Sequence, residues 1–321
     1  MNKDEKVRRK RIPKGFNFEG NEKNLQKVSS RTSLLISIGV ALTDWAIILF
    51  CTALGAAIYF RFGFSFLTVI VHILFILPLC ARALRGKENL VHEASHYNLH
   101  RQSHKINDLV GNWLCAYWLL LSVKSYRITH TKHHAYFGSG DDPDKQRFER
   151  LKIDDMPRAS IPSLAKYLVA VFPAYWLDYW KQFSNKIGQF VGSIALHMIF
   201  VVAISFFYPG FWVLWLVYWW LPFVVYLPFL RFFAEAEEHR YENAESEYDS
   251  TFSNLGFLQK WFFHPHGDAY HLLHHIAPQI PHWRMSNLHW VFSAIDEKFR
   301  EGSVRMSILE STEAAFPKKQ F

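Results

Sequence analysis

Cysteine is scarce in this chain. Cys51, Cys80 and Cys115 stand apart in apolar segments, which excludes a disulfide framework and a thiolate metal site. There is no low-complexity tract, and no repeat beyond a paired pattern of apolar runs. A cleavable signal pattern is also missing, because the N-terminal basic stretch is too long and the first apolar run is itself long enough to span a bilayer. Charge is absent from four long stretches. Residues 33–60 carry one charged side chain, Asp44. Residues 62–81 form an uncharged run containing His72, and 187–208 another containing His197. Residues 211–230 hold no ionisable group except Tyr218 and Tyr226. About 20 apolar residues suffice to cross a bilayer. Four such runs argue against a small soluble domain and for an integral membrane protein.

The runs are paired. Arg61-Phe62-Gly63 separates the first two and Tyr208-Pro209-Gly210 the last two. Both breaks are short and turn-like, which predicts two helical hairpins. Residues 1–31 hold ten Lys or Arg against four Asp or Glu. Arg82, Arg85 and Lys87 follow the second run and Arg231 the fourth, whereas the turns inside the pairs carry only Arg61. The positive-inside rule then places both termini in the cytoplasm. The expected division is a basic cytoplasmic tail over 1–32, a membrane domain over 33–300 and a second cytoplasmic tail over 301–321. The net charge of +8 concentrates in Lys6-Val7-Arg8-Arg9-Lys10-Arg11. Anionic lipid headgroups are the expected partner, not nucleic acid.

Histidine is what the chain has in excess. Twelve of its 17 histidines fall within 92–134 and 264–275. They form His92-Glu93-Ala94-Ser95-His96, His130-Thr131-Lys132-His133-His134 and His271-Leu272-Leu273-His274-His275. Residues three and four apart share a helix face, so H-x-x-x-H aims two imidazoles at one point and H-x-x-H-H three. Neutral imidazole is the commonest protein ligand for transition metals. Eight imidazoles are too many for one ion and suit two. Surface or core-satisfied histidines could produce one such box, but hardly three.

Other segments carry weaker signals. The second apolar run continues past Ala81 into His92 with only Gly86 to interrupt, so one helix should leave the membrane and carry the first box. His100 and His104 continue its four-residue spacing into wetter surroundings and fit a surface role better than ligation. Residues 109–122 are apolar but too short to span, and 163–180 have the Tyr and Trp content of a membrane interface; interfacial helices are expected for both. Trp113 and Trp118 fit interface anchors better than channel walls. Asp141-Asp142-Pro143-Asp144 reads as a turn whose carboxylates could take the outer N–H of a metal-bound imidazole. Glu93, Glu238 and Asp268 are further candidates for that supporting role. Arg231-Phe-Phe-Ala-Glu-Ala-Glu-Glu-His239 brings a ninth candidate ligand, His239, to the end of the fourth run. His72, His197 and Asp44 lie inside spans and are expected to bond between helices. No role is assigned to His264 or His266.

These boxes closely resemble those of the membrane fatty acid desaturase family: H-x(3,4)-H, then H-x-x-H-H, then a third H- or Q-x-x-H-H. The flanks resemble that family too. Tyr126-Arg127 precedes the second box and Asp142-Pro143-Asp144 follows it. Ala236-Glu237-Glu238-His239 and Pro265 through Pro281 are similar to stretches of bacterial members. The resemblance runs from about residue 70 to 290. It implies an all-α membrane protein of four transmembrane helices in two hairpins, capped by a cytoplasmic helical domain that holds a dinuclear metal site. The implied ligands of two non-haem irons are His92, His96, His130, His133, His134, His239, His271, His274 and His275.

The implied reaction is O2-dependent attack on an unactivated C–H bond, with two electrons from outside. Loss of a second hydrogen gives a double bond, and oxygen rebound an alcohol. Desaturation of a fatty acyl lipid or acyl-thioester, in an apolar channel, is the leading expectation. A hydroxylase or ketolase of the same superfamily is the alternative, and carotenoid, alkane and amino-acid-derived substrates occur among relatives. No His-Pro-Gly-Gly cytochrome b5 signature is present, so a separate donor is implied, a ferredoxin or cytochrome b5 with its reductase. Two distant rivals remain: a zinc metallopeptidase using His92-Glu93-x-x-His96 with Glu93 as base, and a non-catalytic metal-binding membrane protein. A bacterial inner membrane is the preferred location; Lys318-Lys319 keeps the endoplasmic reticulum in view.

Overall fold

The structure, a computed structural model, describes residues 11–16, 20–184, 186–242, 244–302 and 304–309. The basic run over Lys6–Lys10 and the pair Lys318-Lys319 lie outside the described residues.

Among the described residues, four helices are long and apolar enough to cross a membrane. After the short α1 (Gly20–Ser29) come α2 (Leu34–Phe62) and α3 (Phe66–Ser95). Ser33 caps α2 by accepting the Ile36 N–H, and Ser65 caps α3 by accepting that of Thr68. The turn falls at 63–65, two residues later than the sequence indicated. Gly63 takes φ 66° there, a left-handed value that glycine adopts without strain, so α2 runs on through Arg61. The surfaces of these helices are what lipid requires. Phe60 is 70% and Phe206 83% exposed, an outcome unfavourable in water but natural against acyl chains.

The cap begins with α4 (His104–Leu114), a single 3-10 turn at Ala116–Leu119, α5 (Val123–Tyr136), α6 (Pro143–Leu151) and α7 (Ile161–Ser184). Thus residues 109–122 are the end of one helix and a tight turn, and 163–180 lie within one long helix. Trp118 is buried against Trp45 and Trp219, whereas Trp113 is half exposed. The second membrane pair is α8 (Ile187–Phe207) and α9 (Phe211–Glu238). Pro222 and Pro228 remove two backbone donors from α9, and successive π turns accommodate the misfit at Leu216–Trp220 and Pro222–Tyr226. Short helices α10 (Glu247–Ser250), α11 (His271–Ile276), α12 (His282–Ile295) and α13 (Glu297–Glu301) complete the chain.

The inner helix of each pair does the positioning. α3 and α9 pack together, and both continue past the apolar zone into the cap. The histidines and the aspartate inside the spans bond between helices as expected. His72 Nε2 meets the Tyr218 hydroxyl at 2.9 Å, and Trp215 donates to His197 Nδ1 at 3.2 Å. Asp44 takes Arg82 Nη1 at 2.9 Å across the first pair and His266 Nε2 at 2.8 Å. Gly86 makes this possible, since a Cβ there would stand 2.6 Å from both Asp44 oxygens.

Two departures concern the expected tails. Arg11 to Phe16 lie against the cap, with Ile12 buried and its N–H donated to Phe137 O at 2.8 Å. At the other end, Val304–Arg305 form a two-residue parallel ladder with Ser253–Asn254. Arg305 is 1% exposed, bonded to Glu237 O at 3.0 Å and stacked on Phe252. Polar composition gives no sign of these contacts, which bury Ile12 and Arg305 while most of their neighbours stay exposed. The charges expected to mark the cytoplasmic side also turn inward. Arg82, Arg85, Lys87 and Arg231 all have protein partners.

Candidate metal centre

Four elements converge on one point between the membrane helices and the cap. α3 carries His92 in its last turn, and His96 caps its end. Tyr97 then reverses the chain at φ 60°. Arg127, one turn before the second box, donates to Ala94 O at 2.8 Å and Ser95 O at 2.9 Å. It thereby satisfies carbonyls at the C-terminus of α3 and ties the first box to the second. α5 presents His130, His133 and His134, and α11 presents His271, His274 and His275. α9 ends at Glu238, and His239 follows in extended conformation, held by an antiparallel bridge to Thr251.

All nine expected histidines meet here, but each three-histidine box is divided rather than aimed at one point. His92, His96, His130, His134 and His274 form one group whose ring nitrogens lie within 4.8 Å of one another. His133, His239 and His275 form a second, and His271 joins His239 together with Glu238. The reason is helical phase. On α5, His130 and His134 are four apart and face the first group, while His133 is turned to the second. On α11, His271 and His275 face the second and His274 the first.

The donor set fits two transition metals. In the first group the Nε2–Nε2 separations are 2.8 Å for His96–His130, 2.9 Å for His92–His274, 3.0 Å for His134–His274 and 3.1 Å for His130–His134. In the second they are 3.0 Å for His239–His271 and 3.3 Å for His133–His275. Imidazole nitrogens bound at about 2.0–2.1 Å to a common ion stand roughly 3 Å apart at right angles. Where Nδ1 donates outward to a carboxylate, as at His92 and His133, the inward Nε2 of the neutral ring carries a lone pair and no proton. Convergent Nε2 lone pairs are what a cation would use.

The outer nitrogens and the carboxylates sort the expected supporting residues. Asp268 takes His92 Nδ1 at 3.2 Å. Asp142 takes His133 Nδ1 at 3.0 Å, with Asp144 at 3.3 Å. Donation from Nδ1 fixes the tautomer that leaves Nε2 free. Glu238 belongs beside His239 and His271 as a possible direct ligand. Glu93 does not serve the histidines, because its carboxylate accepts the His282 N–H at 2.7 Å. His264 is fully buried between Asp268 and Glu238, outside both groups, and His104 stacks on Tyr97.

Electrostatics set His133 apart from the other rings. Burial, reinforced by neighbouring imidazoles, holds His96, His130, His134 and His274 well below the ordinary histidine pKa. The same holds for His239, His271 and His275. For His133, burial works downward but Asp144 and Asp142 prevail and raise it to about 9. For His264, burial is likewise overcome by Asp268 and Glu237, and its pKa rises to about 9.

Two residues escaped sequence reasoning. Arg11 donates to His134 O at 3.2 Å and pairs with Glu247. Glu247 Oε2 lies 3.8 Å from His275 Nδ1. Burial pushes the Glu247 carboxyl up to about 7. The last residue of a basic run and a lone glutamate at the start of a one-turn helix gave no pattern to detect. The third surprise is a cavity of about 280 Å³ that reaches His92 and His130 of one group and His133, His239 and His271 of the other. An apolar channel was expected. Arginines, a lysine and carboxylates supply ten of its 22 lining residues, yet apolar atoms make up the larger part of its surface.

A helical membrane protein with an all-histidine centre of this kind defines a class, and comparison with known proteins agrees. The sequence profile of the fatty acid desaturase family matches residues 65–306, and the chain belongs to that family. It is also similar to dihydrorhizobitoxine desaturase of Bradyrhizobium elkanii, with 25% identity over 231 residues, 62% of this chain and 61% of that protein. The match thus spans about three fifths of the relative's length.

Proposed function

We propose that this protein is a membrane di-iron oxygenase that removes two hydrogens from adjacent carbons of an aliphatic substrate. The observation that carries this reading is the convergence of nine imidazoles as two adjoining groups. His92, His96, His130, His134 and His274 would hold one iron, and His133, His239, His271 and His275 the other, with Glu238 available. Asp268, Asp142 and Asp144 would fix the rings of His92 and His133 through their Nδ1 atoms. When bound and reduced, the iron pair supplies O2 activation and hydrogen abstraction. The balance is –CH2–CH2– plus O2, two electrons and two protons, giving –CH=CH– and two waters. The electrons come from a separate ferredoxin or cytochrome b5, and the centre faces the cytoplasm of a bacterial inner membrane.

The test is metal content and oxygen consumption of the detergent-purified chain. About two irons per chain are expected, both lost in His133→Ala/His274→Ala, together with reductant-dependent O2 uptake. One metal per chain, retained in the double variant, would overturn the proposal. Mass analysis of the product then separates loss of two hydrogens from gain of one oxygen, and so desaturase from hydroxylase.

A further inference from the structure

We infer that residues 256–262, between the fourth membrane helix and the third histidine box, insert into the headgroup–acyl boundary of the bilayer on the cap side. The partner is a lipid surface, entered without being crossed. Lipid contact here does not depend on what metal the histidines hold. Phe257 is 79%, Leu258 56% and Trp261 44% exposed, and Lys260 is exposed beside them. Met306, also exposed, adjoins this patch, because Gly256 brings the two backbones together; a Cβ there would collide with Met306 O. Large apolar side chains clustered in this way, with a tryptophan and a lysine among them, mark a surface suited to a membrane interface.

The exposed face is held in place from behind. Gln259 turns inward and donates Nε2 to Glu237 Oε1 at 2.8 Å, and Phe263 packs on Phe233. The π turn Gln259–Phe263 thus has an inner face fixed to α9 and an outer face that carries Trp261 beside Phe257 and Leu258. α3 supplies the other hold. Arg82 Nε donates to Trp261 O at 3.1 Å, and its guanidinium lies 5.6 Å from the Trp261 ring centre. Arg85 Nε donates to Phe263 O at 2.9 Å.

These holds fix the depth. At a rise of 1.5 Å per residue, Arg82 stands about 24 Å along α3 from Phe66 at the far turn, and Asp44, its partner on α2, about 27 Å from Phe62. On α9, Phe233 stands about 33 Å from Phe211. The hydrocarbon core is about 30 Å thick. Three helices therefore put the anchors of the segment at the cap-side edge of that core, where its outer face meets lipid. Tryptophan is favoured at that level, and a lysine stem can lie along the apolar zone while its ammonium reaches the phosphates. A second copy or a soluble partner would have to reach the same side chains through the headgroup layer.

The experiment is a spin-label depth measurement on the full-length protein in vesicles of phosphatidylcholine and phosphatidylglycerol. The three native cysteines are buried, so the nitroxide goes to an introduced thiol. Phe257→Cys and Leu258→Cys are the test sites. Val202→Cys in α8 is the lipid reference and Glu149→Cys in the cap the water reference, both at exposed positions. Collision with O2 should exceed collision with a water-soluble nickel chelate at 257 and 258, as at 202, and place both labels about 5–10 Å below the phosphates. As a second reading, Phe257→Ser/Leu258→Ser should lower the unfolding midpoint in the same vesicles by a few degrees, because apolar side chains this exposed add stability only where lipid covers them. The inference is overturned if the labels at 257 and 258 meet the nickel chelate as freely as the label at 149. It is overturned too if they are shielded from both reagents, as a protein partner would shield them, a second copy adding dipolar broadening. A serine pair that leaves the midpoint unchanged or raises it would also sink it.

Discussion

The two histidine groups draw on the same two helices, α5 and α11, yet sit in different electrostatic surroundings. Among the described residues the five-imidazole group has one carboxylate bonded behind it, Asp268 on His92. The other group has Asp142 and Asp144 on His133, Glu238 beside His239 and His271, and Glu247 near His275. A cation in the first site would be held by neutral rings, and one in the second by rings with anions close by. Carboxylate oxygen favours harder cations, and carboxylates behind imidazole make it a better donor. The difference teaches that two sites of near-identical residue type need not bind alike. The second should hold its metal more tightly.

Removing a ligand breaks the comparison most severely. His130→Ala or His274→Ala should lower iron from about two to about one per chain by emptying the first group. His239→Ala should do the same through the second. Each should reduce turnover to background. Elemental analysis with an oxygen electrode reads both. Loss of both irons in every single variant would mean that the groups are one cooperative site. Next in size are the residues behind the ligands. Asp142→Asn should weaken metal retention of the second group by about 10–100-fold, and Asp268→Asn that of the first by a similar factor. Asp268 also receives Arg85 Nη2 at 3.1 Å, so its loss should destabilise the fold by roughly 1–3 kcal/mol as well. Chelator competition on each variant separates the two groups.

Acidity sharpens the contrast in the metal-free protein. His96, His130, His134 and His274 have folded pKa values below the unfolded value near 6.5. Below that pH the unfolded chain binds more protons at these four rings, so their contribution to stability is present above about 6.5 and lost as pH falls. His133 runs oppositely. Its folded pKa is raised to about 9, so its contribution is full below about 6.5 and lost as pH rises through 9. The metal-free protein should therefore unfold at lower temperature at pH 5.5 than at 7.5, and His130→Ala should flatten that slope while His133→Ala steepens it. Identical pH profiles for the two variants would remove the electrostatic distinction.

Much of this was legible in the sequence. The membrane helices announce themselves because a bilayer demands a length and a composition that few other environments do. The nine histidines were found because helical spacing is periodic and imidazole is chemically specific. Their division into two groups was not found, since the phase of α5 and α11 relative to each other is set by packing and not by either segment. Glu93 was expected near the ligands from its place between His92 and His96; one residue along a helix turns the side chain about 100° away, toward the His282 N–H. The charged cavity was hidden for another reason. Glu88, Asp144, Arg147, Arg231 and Glu235 come from three helices far apart in sequence, each unremarkable in its own context.

The smallest effect lies furthest from the metals. Arg11 joins the carbonyl of His134, a first-group residue, to Glu247, which faces His275 of the second. Arg11→Ala leaves Glu247 buried without its bonded cation, with Lys14 still nearby. Burial already raises that carboxyl to about 7, with Arg11 opposing, so the loss should push it further toward the neutral acid. A neutral carboxyl 3.8 Å from His275 Nδ1 puts less negative charge beside that ring. Iron release from the second group should quicken, by less than the ~10-fold lower bound for losing a directly bonded carboxylate, and the first group should keep its rate. Glu247→Gln should reproduce the effect and Arg11→Lys should largely restore the parent value. Stopped-flow chelation in two phases reads this directly. Equal acceleration of both phases would show that Arg11 acts through the end of α5, and not through Glu247.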